Sequence, residues 1–373
     1  MGYVITIIGS GITQMQTRYL QRQQRLLLAL QEKDVENLLV FNYENIFYLT
    51  GYSGNAAYLI VSTQGLKLIT DYRYFERAKS ESNGCEVICR DRDTESLGAC
   101  IKRFLPYEKT GFESLAVNYG VWLSIANELA SYDISPLDGC IEMLRMVKDE
   151  FEVTSIKKAA AIADLALADL LTQVSKGVTE LDLATELDYK MKKLGSDGVS
   201  FDTILLFAER SALPHGKPGE RKLNYGDLLL IDFGAVVNGY RSDMTRTYVY
   251  GEPNKQQQQM YDAVLASQTK SLHSLKAGVD CQQLNQISLD VLAQSGFEQY
   301  AGKGLGHGVG LALHEVPFIN PVTDYRLEVG NIITIEPGVY IPDFGGIRIE
   351  DDVLITNDGF EFITHAPKSF VIN

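Results

Sequence analysis

A chain of 373 residues with 45% hydrophobic side chains has room for two domains with real cores and is too apolar to be disordered. Its net charge of −14 argues against nucleic acid and anionic membrane surfaces as partners, because both are recognised through basic patches. The cysteines (Cys85, Cys89, Cys100, Cys140 and Cys281) are odd in number and form no CxxC pair, which points to reduced thiols and a cytoplasmic location.

The apolar run from Val4 to Ile12 is too short to span a bilayer and lacks the preceding Lys or Arg of a signal peptide. Its IIGSGI hints at a dinucleotide fingerprint, but Gln14 stands where a GxGxxG counted from Gly9 needs glycine. Next, strand-like runs at Leu38–Phe41, Ala56–Val61 and Leu66–Thr70 alternate with helical patterns at Arg18–Gln31, Arg73–Ser80, Leu97–Leu105 and Tyr119–Ala130. This alternation predicts an α/β domain over residues 1–145. It holds no catalytic constellation; Asp71 and Arg73 read as a charged turn.

The second domain, residues 146–373, opens on a helix with an apolar face of Val153, Ile156, Ala160, Ala163, Leu167, Leu170 and Val174. Asp149, Glu150 and Glu152 favour its start, Lys176 and Gly177 its end. Thr179, with Asp182 at the capping-box position, begins a second helix whose stripe of Leu183, Leu187, Met191 and Leu194 stops at Gly195. A strand-rich stretch follows, LLLIDFGAVVNGYRSDMTRTYVY. The order then repeats. A helix over Lys255–Lys276 closes at Gly278, another on Leu284, Ile287 and Val291 closes at Gly296, and TIEPGVYIPDFGGIRIEDDVLIT comes after them. Helix, helix, hairpin, twice, predicts an α+β domain with a pseudo-twofold duplication.

Each strand-rich stretch carries two acids. With Asn238-Gly239 as a tight turn, Val237 faces Tyr240, and Asp232 and Asp243 share one sheet face. A loop centred on Asp343 likewise sets Glu336 opposite Glu350, with Arg348 on the face of Glu350 and Asp351 turned away. Asp232 follows Leu228–Ile231, and Glu336 follows Ile332–Ile335, both apolar runs of buried strands. Converging ionised carboxylates repel one another and are costly to bury without a cation, so these four predict a site for two metal ions. His307, among Gly304, Gly306, Gly308 and Gly310, completes an oxygen-rich set suited to Mn²⁺, Co²⁺, Fe²⁺ or Zn²⁺. His215 (LPHGKP) and His314 (LHEVP) stand at apolar-to-Gly/Pro junctions, where substrate-contacting groups are common. His273 and His365 carry no such signal.

Taken in order, SALPHGKP, GDLLLIDFGAVVNGYRSDMTRT, GHGVGLALHE, ITIEPGVY and GGIRIEDDVLIT resemble the pita-bread metallopeptidases, above all the Xaa-Pro peptidases, prolidase and aminopeptidase P. The resemblance covers roughly residues 150–370, and more loosely a creatinase/prolidase-type leading domain. It implies that Asp232 binds one ion, that Asp243 and Glu350 bridge, and that His307 and Glu336 complete the other. It implies Mn²⁺ first among the candidate metals, short proline-containing peptides as substrates, and a homodimer. His215 and His314 match the family's substrate- and intermediate-stabilising histidines, Glu336 its proton acceptor, and Arg348 the arginine beside the bridging glutamate. Many members carry histidine four residues before the metal histidine; Lys303 stands there instead, a flexible point charge that would retune substrate binding. The expected activity is Xaa-Pro dipeptidase, with Xaa-Pro aminopeptidase as the alternative. A methionine aminopeptidase would share the five ligands but usually lacks so large a leading domain. A non-catalytic binding protein on this fold would usually lose ligands.

Overall fold

The computed structural model describes residues 14–373, and the apolar run at residues 4–12 with its broken fingerprint lies outside them. The chain divides into two compact units, Met1–Arg145 and Met146–Asn373. Among the described residues no helix is long and apolar enough to cross a membrane.

The first unit runs α1 (Gln14–Glu32), β1 (Asn37–Val40), α2 (Tyr43–Thr50), β2 (Tyr58–Ser62), β3 (Gly65–Thr70), α3 (Phe75–Glu81), β4 (Cys85–Cys89), α4 (Leu97–Phe104), β5 (Thr110–Phe112), α5 (Tyr119–Glu128) and β6 (Ile134–Pro136). Helix α6 (Cys140–Met146) leads out of it. The strands form one sheet in the order β4-β3-β2-β1-β5-β6, mixed in direction. Its core is built on Leu39, Ile60, Ile69, Cys100, Ile101 and Ile125. Sequence reasoning passed over α2, although its ends are well signed: Asn42 accepts a hydrogen bond from the backbone N–H of Asn45, and Gly51 leaves with φ +83°. Strands β4 to β6 are short and, apart from β5, only partly buried, so their hydrophobic alternation is weak.

The second unit opens with α7 (Glu150–Leu171) and α8 (Glu180–Lys193), each started by a complete capping box, Asp149 with Glu152 and Thr179 with Asp182. Helix α7 stops at Leu171, short of the expected Lys176. The Thr172 hydroxyl donates to the Asp169 carbonyl and Gln173 N–H donates to Leu170, closing the last turn with tighter geometry. Leu194 is 46% exposed rather than part of the buried stripe, because it already caps α8. Strands β7 (Ile204–Phe207), β8 (Leu228–Phe233), β9 (Val236–Val237), β10 (Tyr240–Arg241) and β11 (Met244–Tyr250) follow.

The same order recurs in α9 (Lys255–His273), α10 (Cys281–Gln294), β12 (Gly306–Gly308), β13 (Glu315–Ile319), β14 (Ile332–Ile335), β15 (Gly338–Ile341), β16 (Gly345–Arg348) and β17 (Asp351–Ile355). β18 (Phe360–Phe362) and β19 (Val371–Ile372) close the chain. One sheet runs β19-β11-β8-β7 and the other β13-β12-β14-β17-β18. In both halves an antiparallel pair, β8/β11 or β14/β17, runs on into a two-stranded hairpin, β9/β10 or β15/β16. The expected duplication is therefore present in the topology. Leu167, Leu170, Leu183, Leu187 and Met191 pack on Leu205, Leu229 and Ile231; each Leu so buried contributes about 2 kcal/mol.

Candidate metal centre

Both acidic hairpins adopt the expected register. Asn238 (φ 55°) and Gly239 (φ 80°) make a turn with two left-handed residues, which sets Tyr240 opposite Val237. Pairing continues without a slip to Thr245 opposite Asp232, so Asp232 and Asp243 project from one face. In the second hairpin Gly338 lies opposite Arg348, and the flanking pair sets Ile335 opposite Asp351, which brackets Glu336 and Glu350 as facing residues.

Asp232, Asp243 and Glu350 are buried, at 7%, 4% and 1% exposure, and His307, at 7%, joins them from β12. Single ligand atoms of Asp243, His307 and Glu350 lie within 4.8 Å of one another. The Nε2 atom of His307 is 3.2 Å from Glu336 Oε1 and 3.7 Å from Asp243 Oδ2. Its Nδ1 sits 3.0 Å from the Gly308 carbonyl, a partner that requires a proton there and so leaves Nε2 free as a ligand atom. The β12/β13 register shifts between His307 and Gly308, a bulge that re-aims the imidazole. A Cβ on Gly306 would sit 2.0 Å from the Thr334 carbonyl, so this glycine is what allows β12 to lie against β14.

The electrostatics are those of an uncompensated acidic cluster. Burial, reinforced by repulsion from the neighbouring acids, pushes the Asp243 and Glu350 carboxyls well above the usual carboxylate range. Burial raises Asp232 too, against the pull of Arg348. Glu336 is only partly buried, and His307, then Arg348, hold its carboxyl low against the cost of that burial. Asp232 Oδ1, Asp243 Oδ1 and Glu350 Oε1 are buried and accept no hydrogen bond. Orphaned carboxylate oxygens facing a single imidazole are what hard or borderline divalent cations take as ligands, so the residues present fit two such ions.

Around them lies a shell that the sequence reading only partly anticipated. Arg348 donates to Asp232 Oδ2 (2.5 Å), the Thr245 hydroxyl (3.0 Å), the Tyr340 hydroxyl (2.5 Å) and the Pro214 carbonyl (3.4 Å). Thr245 donates to Glu350 Oε2 at 2.6 Å. Thr334 accepts from the His307 backbone N–H and donates to Glu336. Asp352, fully buried, accepts the Asp243 N–H at 2.8 Å; its other oxygen has no partner. The same two-residue alternation that puts Arg348 with Glu350 would have found it. Asp351 does turn away, to Arg246 (2.6 Å) and Lys368 (2.6 Å).

His314 stands just before β13, its ring edge-on to that of His307 with centroids 4.4 Å apart. Burial, then the charges of His307 and His215, hold the His314 imidazole below its usual range, so the three rings share one field. His215 is exposed on the loop that follows a 3₁₀ turn at Ala208–Ala212. Lys303 is exposed on the bend before β12 and takes no part in the contacts above.

The sequence model of metallopeptidase family M24 matches residues 154–357, and that of the creatinase/prolidase N-terminal domain matches residues 22–147. The chain belongs to metallopeptidase family M24. This M24 protein is a metal-dependent peptidase with a creatinase/prolidase-type leading domain and a pita-bread catalytic domain. It is 32% identical over 352 residues to a Xaa-Pro dipeptidase of Pyrococcus horikoshii, covering 94% of this chain and 99% of that one. Among solved structures, a Xaa-Pro dipeptidase from Bacillus anthracis superposes with a TM-score of 0.90 at 34% identity, covering 95% of this chain and all of that one. An X-Pro aminopeptidase from Thermotoga maritima superposes at 0.86, also at 34% identity, covering 94% and 99%.

Proposed function

We propose that this peptidase hydrolyses the Xaa-Pro bond of dipeptides at a centre in which Asp232, Asp243, His307, Glu336 and Glu350 hold two divalent ions. The observation that carries the reading is the gathering of Asp243, Glu336 and Glu350 about the His307 imidazole with Asp232 beside them, three of the four acids having orphaned buried oxygens. Mn²⁺ is our choice of metal, because oxygen donors dominate the set. When bound, the two cations supply Lewis acidity and a water acidified to near neutral pH.

The chain's own groups divide the remaining work. Glu336, whose side chain at 24% exposure is the most open of the four acids, takes the proton of the attacking water. His215 donates to the oxyanion that develops on the scissile carbonyl. His314, edge-on to the His307 ring, helps pass the proton taken up by Glu336 on to the proline nitrogen as the bond to it breaks. Arg348 holds Asp232 in place. Lys303, where related sequences carry histidine, meets the substrate as a mobile point charge; unchanged kinetics in Lys303→His would remove it from the site.

The same 34% identity to a named dipeptidase and a named aminopeptidase favours one second reading, removal of an Xaa residue from longer peptides. Hydrolysis of Ala-Pro, Ala-Pro-Ala and Met-Ala-Ser by the Mn²⁺-loaded protein decides the matter. We expect Ala-Pro to be cleaved best. Preference for Ala-Pro-Ala would establish the aminopeptidase, and cleavage of Met-Ala-Ser alone would refute both. A homodimer in the cytoplasm completes the proposal. The free cysteines support a reducing compartment, and light scattering tests the dimer.

A further inference from the structure

Glu180, the first residue of α8, is fully buried although it is a carboxylate. Its partners explain where the charge goes. Oε1 accepts from Phe207 N–H at 2.8 Å and Oε2 from Gly219 N–H at 2.9 Å. Arg210 Nε lies within reach of both oxygens, at 3.1 and 2.9 Å. Phe207 and Gly219 are the two ends of the segment that carries His215, and Arg210 is inside it. Arg210 also spans the loop, donating from Nη2 to the Lys217 carbonyl at 2.6 Å. One carboxylate thus ties down both feet of the loop, and one guanidinium braces its middle.

The opposite side of the loop is held from the second acidic hairpin. Gly346 N–H donates to the Ser211 hydroxyl at 2.8 Å, and Arg348 reaches the Pro214 carbonyl. His215 itself is exposed at the apex, on a stretch without regular secondary structure. An exposed loop imidazole would otherwise sample many positions, and a misplacement of about 1 Å can cost a catalytic group on the order of 100-fold. Buried charged hydrogen bonds to backbone N–H groups are among the strongest restraints available to such a loop.

We propose that Glu180 and Arg210 form a clamp that positions His215 over the scissile carbonyl; this rests on the catalytic reading of His215 given above. The clamp acts through His215, since the hydrogen bonds of Glu180 and Arg210 described above go to the loop and to each other rather than to the metal-centre residues.

The test is a double-mutant cycle on the Mn²⁺-loaded full chain with Ala-Pro, using Arg210→Met, His215→Ala and the two together, with Arg210→Lys as the conservative variant. Arg210 is partly exposed, so its variants spare the fold in a way that Glu180→Gln need not. We expect Arg210→Met to lower kcat about 10-fold with KM, metal content and Tm nearly unchanged, and to have little further effect once His215 is alanine. Arg210→Lys should recover only part of the loss, since a point charge cannot brace both Glu180 and Lys217. If His215→Ala keeps a reduced but measurable kcat and Arg210→Met costs the same factor in both backgrounds, the clamp is refuted and the role of His215 stands. Full activity of His215→Ala would refute that role and the clamp with it. Equal losses of Tm, metal and kcat in Arg210→Met would reduce Arg210 to a structural residue.

Discussion

Residues two apart on a strand share a face, and from Arg348 through Glu350 to Asp352 this rule lays one guanidinium and two acids side by side. Asp243→Ala and Glu350→Ala each remove an oxygen donor whose neighbours are left repelling one another. We expect both variants to lose bound Mn²⁺ and Ala-Pro hydrolysis together, measured by elemental analysis and peptide assay. Full activity in a metal-free variant would defeat the two-ion scheme. Asp352 acts one bond further out, through the Asp243 N–H. Partners of this kind commonly change metal affinity about 10- to 100-fold, so Asp352→Ala should weaken Mn²⁺ binding by that order in a competition titration. Asp352→Asn, which keeps an acceptor for that N–H, should lose less. Asp232, Asp243, Glu336 and Glu350 were legible because turn chemistry and strand period fix their faces. Thr245 and Thr334 were not singled out, because hydroxyls carry no distinctive pattern of their own; Asp352 was within reach of the same strand period and was passed over as one more acid in an acidic stretch.

Strands and helices set the spacing that those side chains inherit. Gly306→Ala would drive a methyl into the Thr334 carbonyl and push β12 off β14, moving His307 away from the acids. Its expected signature is weakened Mn²⁺ binding by calorimetry with far-ultraviolet circular dichroism unchanged; affinity equal to that of the parent would show that β12 can shift freely. In the first unit, Glu113 links the end of β5 to the start of α2, accepting from Phe41 N–H, Asn42 N–H and the Asn45 amide. Burial pushes its carboxyl up from 4.5 to about 7 in spite of those donors. A folded value above the unfolded one means that the native state binds the extra proton, so this contribution is complete below pH 4.5 and is lost as pH rises through about 7. Its size is at most about 3 kcal/mol. Urea denaturation from pH 5 to 8 should show stability falling, and Glu113→Gln should flatten that trend. Long helices with capping boxes were readable almost to the residue at their starts. Their ends were not, since the closing turns at Thr172 and Ser274 rest on local i−3 bonds that leave no periodic trace.

At the scale of the molecule, the candidate ion cluster found among the described residues lies within the second unit, so bound metal should stabilise that unit. Ligand linkage at about 1,000 times Kd is worth roughly 4 kcal/mol. Calorimetry with and without a chelator should therefore lower the transition of the second unit and leave that of the first in place. A single transition that ignores the chelator would argue that protonation, not metal, relieves the buried acids. The repeated helix, helix, hairpin order was legible from periodicity and glycine stops alone, whereas the weak strands β4 to β6 are defined by tertiary pairing that no local window contains. Strand β19 has a practical corollary. Val371 and Ile372 lie in parallel register beside Val249 and Tyr250 of β11, the strand that starts just after Asp243. Breaking that ladder, as with Ile372→Pro, would therefore slacken β11 along the strand that leads back to Asp243.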